Sequence, residues 1–164
     1  MCVLLITSLF QALKPGGSLR FTVWRMRQDN PFLYTAQKIA ERHISLEETT
    51  GTDEVTCGPG PFANAGADMM STILMKAGFD EITFRRFDAD TQIGRTLDEA
   101  VEFSTSMGPA GEKIRLAQAK PGIDAESKKK EILDEVRATY EPLVGENGVW
   151  MGSSTWLITA VKKA

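Results

Sequence analysis

Histidine occurs once in this chain, at His43, and cysteine twice, at Cys2 and Cys57. A zinc site needs about four N or S ligands at set spacing, and with no CxxC pair these three residues exclude a recognisable metal centre. They also exclude a disulfide framework, so a reducing, cytoplasmic setting is expected. Basic excess is missing as well: 19 Lys and Arg stand against 22 Asp and Glu, for a formal net charge of −3. Without a broad cationic footprint, nucleic acid is not an expected partner, and the run Lys128 to Lys130 reads as a solvated helix face. Long hydrophobic runs are absent. The opening "MCVLLITSLF" is apolar, yet it falls short of the roughly 20 residues of a spanning helix and has neither the basic start nor the A-x-A site of a signal peptide. No membrane association is expected.

What is there fits a globular protein. The 164 residues, 42% hydrophobic and 25% charged, suffice for one domain over 1–164 that buries about two-thirds of its unfolded surface. Leu5, Leu9, Ala12 and Leu13 recur at helical spacing and predict a packed first helix, stopped by Lys14-Pro15-Gly16-Gly17. From about Ser18 to Trp24 a strand follows, with Leu19, Phe21 and Val23 on one face and Arg20, Thr22 and Trp24 on the other. The polar Arg20 and Thr22 argue that this strand is not deep inside a complete sheet.

Asp29-Asn30-Pro31 predicts a helix start with a capping side chain, and Phe32, Ala36 and Ile39 a buried stripe up to about Ser45. Leu46 to Gly60 reads as a loop. Met70, Ile73, Leu74 and Ala77 predict a helix over Gly66 to Ala77 that Gly78 ends, followed by a strand through Ile82 and Phe84. Met69, Met70 and Met75 suit helix packing better than a ligand surface. About fifty helical residues come next. A Thr96/Glu99 capping box opens Leu97 to Met107, Pro109 starts a short helix to about Ala119, and Asp124 starts a longer one with the stripe Ile132, Leu133, Val136, Tyr140 and Leu143. A last strand of six to eight residues runs through Trp156 to Val161.

The segments "LKPGGSLRFTVWR", "NPF", "GPGPF", "MMSTILMKAGFDEITFRRFD", "LDEAVEFSTSMGP" and "STWLITAVKK" occur in this order over nearly the whole chain. Together they resemble the C-terminal half of class I S-adenosylmethionine-dependent methyltransferases, closest to the group of ubiquinone and menaquinone biosynthesis enzymes. The resemblance implies an α/β fold with a partial Rossmann-like sheet. Ser18 to Trp24 would be its fifth strand, Ile82 to Phe87 its sixth, and Thr155 to Val161 an antiparallel seventh lying between them. The helical stretch, about 97–143, would be a lid insertion.

In that family the cofactor lies on a glycine-rich loop after the first strand and an acidic residue after the second. Neither is found in this sequence. Gly58-Pro59-Gly60-Pro61 is the nearest candidate, but proline removes backbone donors and no helix N-terminus follows closely. The resemblance thus implies S-adenosylmethionine as cofactor and a small, apolar methyl acceptor, with no cofactor-binding residue assignable and this chain expected to be inactive alone. The second reading is a truncated, non-catalytic relative acting as a binding or dimerisation module.

Trp24 and Arg25 end the fifth strand, where such sheets place ligands, and are either substrate-pocket residues or a core plug beside a solvated arginine. Asn30 and Phe32, and Phe62 of the "GPGPF" segment, are pocket candidates by resemblance. That segment is either a lid over the site or a plain connector. His43 is a weak candidate general base, set against a solvated residue at a helix end. No metal is required. With the fourth strand missing, the edge of 18–24 is expected to pair or be masked in a homodimer, with contacts at Leu5, Leu9 and Phe21.

Overall fold

The computed structural model describes residues 2–44, 60–120 and 124–164, which gather into two compact units. The first holds 2–26, 60–88 and 154–164, and the second 27–44, 89–120 and 124–153. The element order is α1 (Cys2–Ala12), β1 (Ser18–Trp24), α2 (Pro31–His43), α3 (Ala67–Ala77), β2 (Asp80–Gly94), α4 (Leu97–Ser106), α5 (Gly108–Ala119), α6 (Ala125–Tyr140), β3 (Val144–Gly145) and β4 (Gly148–Val161).

The sheet order is β1-β4-β2, and β1 pairs antiparallel with β4 from Ser18↔Val161 to Trp24↔Thr155. Side-chain bonds link Ser153 to Ala89, Ser154 to Asp88 and Thr155 to Phe87, so numbers rise on β2 as they fall on β4. A last strand running antiparallel between two strands of common direction is the arrangement the resemblance implies, and the fold is α/β with this partial Rossmann-like sheet.

In the first unit, α1 and α3 cover one sheet face. Ile6, Met70, Ile73, Leu74, Ala77, Phe79, Ile158 and Ala160 form its buried core, with Phe10, Leu13, Leu19, Phe21 and Val23 packed against it. The stripe expected on α3 is buried in full. Its end is a Schellman turn: Gly78 takes φ +101°, its N–H donates to Met75 O at 3.0 Å, and Phe79 N–H donates to Leu74 O at 3.1 Å. Only glycine reaches that conformation without strain. The Phe79 ring then meets Phe10 edge to face at 5.0 Å.

The expected face of α1 needs correction. Ile6 is the buried residue, while Leu5 and Leu9 are 61% and 37% exposed and Ala12 is exposed too. Cys2–Ala12 contains no charged residue, so periodicity offers two apolar stripes, and the one through Ile6, Phe10 and Leu13 meets the core.

The second unit is built mainly from α2, α4, α5 and α6, with each helix contacting the others, together with the hairpin of β3 and β4. Ala36 and Ile39 are buried as expected, but Asn30 makes no side-chain cap bond and is itself fully buried; Pro31 at the first helical turn sets the start instead. Half of the expected capping box forms: Thr96 Oγ1 accepts from Glu99 N–H at 3.2 Å, whereas Glu99 accepts from Arg95 N–H at 2.8 Å rather than from Thr96. Asp124 caps α6 by accepting from Ser127 N–H at 3.2 Å. Ile132, Val136 and Tyr140 are fully buried, Leu133 is partly buried, and Leu143 is exposed because α6 ends at Tyr140 and the chain turns in a tighter helical turn. Residues 45–59 and 121–123, with most of the expected 46–60 loop, lie outside the described residues.

Candidate functional site

The alternation of β1 brings Thr22 and Trp24 to one face, and the β1/β4 register sets Thr155 opposite Trp24. The turn of 61–64 supplies Pro61 and Asn64. Together with Val23 these residues line a cavity of about 450 Å3 at the C-terminal end of β1, within the first unit. That is within the roughly 300–1,000 Å3 of small-molecule sites, at the strand end where α/β sheets bind ligands.

Beside the cavity, the backbone continues the ladder, with Arg25 N–H donating to Ser154 O at 3.0 Å. The Arg25 guanidinium lies 4.4 Å from the centre of the Trp156 ring, a cation–π contact. Trp156 is fixed in turn by its Nε1–H, which donates to Ala65 O at 3.1 Å, and by an edge-to-face contact with Phe84 at 6.0 Å. Asp88 completes the cluster, accepting from Arg86 Nε at 2.9 Å and from Ser154 Oγ at 2.5 Å. The Arg86 bond foremost, then the Ser154 bond, hold its carboxyl below the ordinary carboxylate value, with Arg25 adding attraction. A carboxylate so satisfied is a poor proton acceptor near neutrality.

The cavity wall therefore offers two hydroxyls, one amide, an indole and aliphatic surface. Such a wall can orient a small, largely apolar ligand by stacking and a few hydrogen bonds. Among the described residues, its lining includes no titratable acid or base.

Trp24 stands in the cavity wall, and Arg25 is next to it. Phe62 occurs in the same turn as Pro61 and Asn64 but is itself buried, at 8% exposure. Asn30 and Phe32 belong to the second unit and are buried there. His43, also in the second unit, is the last residue of α2. Its side chain is 22% exposed, with Nδ1 3.0 Å from Glu131 Oε2 and Nε2 2.6 Å from Glu135 Oε2. Both ring nitrogens thus lie against carboxylates of α6, and Glu135 also accepts from Arg42, so these side chains tie α2 to α6. Thr22, Asn64 and Thr155 carry no signal in the sequence alone, because only the strand register and a turn bring them together.

Two described connections are candidates for the cradle of the S-adenosylmethionine that the resemblance implies. The connection from β2 to α4 contains Gly94, but a Cβ there would meet Ala100 N at 2.3 Å, so its missing side chain admits a helix start rather than a ligand. The connection from β1 to α2 contains no glycine. Neither of these two connections, among the described residues, fits S-adenosylmethionine. Among the described residues, no group of three His, Cys, Asp or Glu side chains could hold a metal ion, and no helix is long and apolar enough to cross a membrane.

No protein-family model matches this chain, and no curated protein does. Among solved structures, a candidate methyltransferase from Bacillus halodurans aligns over 99% of this chain and 63% of its own, at 13% identity and a TM-score of 0.45. The chain thus spans less than two-thirds of that protein's length.

Proposed function

We propose that this chain is the acceptor-side portion of a class I methyltransferase fold, of the ubiquinone and menaquinone biosynthesis type, and that the cavity at the end of β1 holds a small, largely apolar methyl acceptor. The observation that carries this reading is the sheet order β1-β4-β2 with its antiparallel central strand, which puts the cavity beside the last residues of the fifth-strand equivalent. Methyl transfer from a sulfonium demands chiefly in-line positioning of the acceptor, and a wall of hydroxyls, amide and indole supplies positioning. The donor half of the reaction would come from outside the described residues, and no step is assigned to it.

A second reading rests on Gly94, whose missing side chain admits the start of α4 rather than a ligand: a binding module that takes up the same small ligands without transferring a methyl group. Two titrations test the cavity and the cofactor, on which both readings rest. For the first, uniformly labelled protein is titrated with small phenols and quinols, and shifts are expected at the amides of Thr22, Trp24, Asn64 and Thr155, weakened by Trp24→Ala. Shifts confined to other residues, or none, would overturn the acceptor site. In the second, calorimetry with S-adenosylhomocysteine is expected to give no binding heat with this chain alone. Micromolar binding would show that a cofactor site exists here and overturn the second reading.

A further inference from the structure

We propose that α5 is a flap: it swings off α2 about Met107 and Gly108 while α2, α4 and α6 stay packed, and the buried amide of Gln37 sets how often it opens. The inference lies wholly within the second unit and is independent of the acceptor reading.

The seam between α2 and α5 is weakest at Gln37. Leu33, Gln37 and Glu41 follow at i, i+4 and i+8 on α2, which puts them on one stripe. α5 meets both ends of that stripe: a Cβ on Gly108 would lie 2.9 Å from Leu33 Cδ2, and Lys113 Nζ is 4.0 Å from Glu41 Oε1. Gln37, between them, is 5% exposed and donates from Nε2 to Glu41 Oε1 at 2.8 Å. Its own Oε1 is buried with no hydrogen-bond partner among the described residues. Turning the amide over gives no relief, because its oxygen would then face a carboxylate that can only accept. The closed seam therefore bears the desolvation of one unpaired acceptor, and opening returns that oxygen to water.

Little holds α5 shut. It buries Ala110, Ile114 and Ala117, so one large side chain carries most of its apolar contact, while Leu116 is exposed. Two of its first four residues are glycine, no side chain caps its N-terminus, and neither its first turn has an acid nor its last a base. α4 and α6 start instead on capping bonds from Thr96 and Asp124. Among the described residues, the polar side-chain contacts from α5 to other helices are that of Lys113 and an exposed bond from Gln118 Nε2 to Glu126 Oε1 at 3.1 Å. A hinge stands at its start. α4 ends at Ser106 and α5 begins at Gly108, so Met107 alone joins them, extended at φ −107° and ψ 156°, and Gly108 follows at φ +66°. Rotation at these two residues re-aims α5 with no bond broken inside either helix.

Amide exchange of the full chain at graded low urea tests the flap residue by residue. The amides of Ile114 to Ala117 should exchange at least about tenfold faster than those in the buried turns of α2, α4 and α6, with little dependence on urea, as local opening requires. Gln37→Met removes the unpaired acceptor at nearly constant length, so α5 exchange should slow at least about fivefold while the other helices exchange as before. Gly108→Ala crowds Leu33 in the closed seam and should speed α5 exchange alone; Gln37→Met decides by itself if that variant does not fold. An α5 protected as strongly as its neighbours, with their urea dependence, overturns the proposal. So does a Gln37→Met chain in which α5 exchange is unchanged, or in which all four helices slow alike.

Discussion

Gly78 shows how far one residue can commit a fold. It ends α3 in the left-handed region and starts the approach to β2, and a Cβ built on it would sit 2.9 Å from the Phe10 ring. Gly78→Ala thus combines left-handed strain with a clash against the aromatic pair of Phe10 and Phe79. The expected loss is about 2 kcal/mol or more, measured by urea denaturation. A loss under about 0.5 kcal/mol would mean that the turn relaxes freely. The sequence made this position visible because a glycine after a complete i, i+3, i+4, i+7 stripe has few other meanings. His43 was less legible. Its role depends on Glu131 and Glu135 reaching it from α6, and no local pattern reports a partner 88 residues away.

At the scale of elements, the same contrast separates what periodicity can and cannot tell. β1 and α3 have the expected bounds to within a residue, since turn chemistry punctuates both ends. β2 and β4 run to Gly94 and back to Gly148, well beyond the short strands expected. The added residues, such as Asp88, Asp90, Gly152 and Ser153, have low strand propensity, and cross-strand bonds like Ser153 Oγ donating to Ala89 O at 2.8 Å decide their state. α1 is a helix as its periodicity predicts, but Leu5, Leu9 and Ala12 face outward and only Leu13 of the expected stripe meets the core. Its last turn is also held from the opposite end of the chain: Lys162 Nζ donates to Phe10 O at 3.0 Å and Leu13 O at 2.8 Å, and lies 4.6 Å from the Phe10 ring centre. A cation at a helix C-terminus satisfies the last carbonyls and complements the dipole. Lys162→Met keeps the stem but removes these bonds, so a cost of about 1 kcal/mol is expected, with faster amide exchange in the last turn of α1 and none elsewhere. Uniform loss across the first unit would instead mark Lys162 as part of its general packing.

Over the whole molecule, the charges argue for a defined acid limit. Asp80, Asp88, Glu112, Glu131 and Glu135 are all held below their ordinary values, chiefly by bonds from Lys163, Arg86, Arg115, Lys128 and His43 in that order. A carboxyl with a depressed folded pKa binds its proton more weakly folded than unfolded, so folding is favoured above the unfolded value and that advantage is lost as pH falls through the folded one. The unfolded references are 3.8 for Asp and 4.5 for Glu. The melting temperature should therefore be nearly level above about pH 5.5 and fall progressively below about pH 4.5. The groups are solvated, so each contributes little and salt screens it; in about 1 M NaCl the acid slope should flatten. Glu135→Gln tests a single member: it removes the carboxylate facing both Arg42 and His43, so the variant should start less stable at neutral pH and lose less on acidification than the parent. Parallel curves for the two proteins would remove this cluster from the acid response, and a level melting temperature down to about pH 3 would remove the whole set.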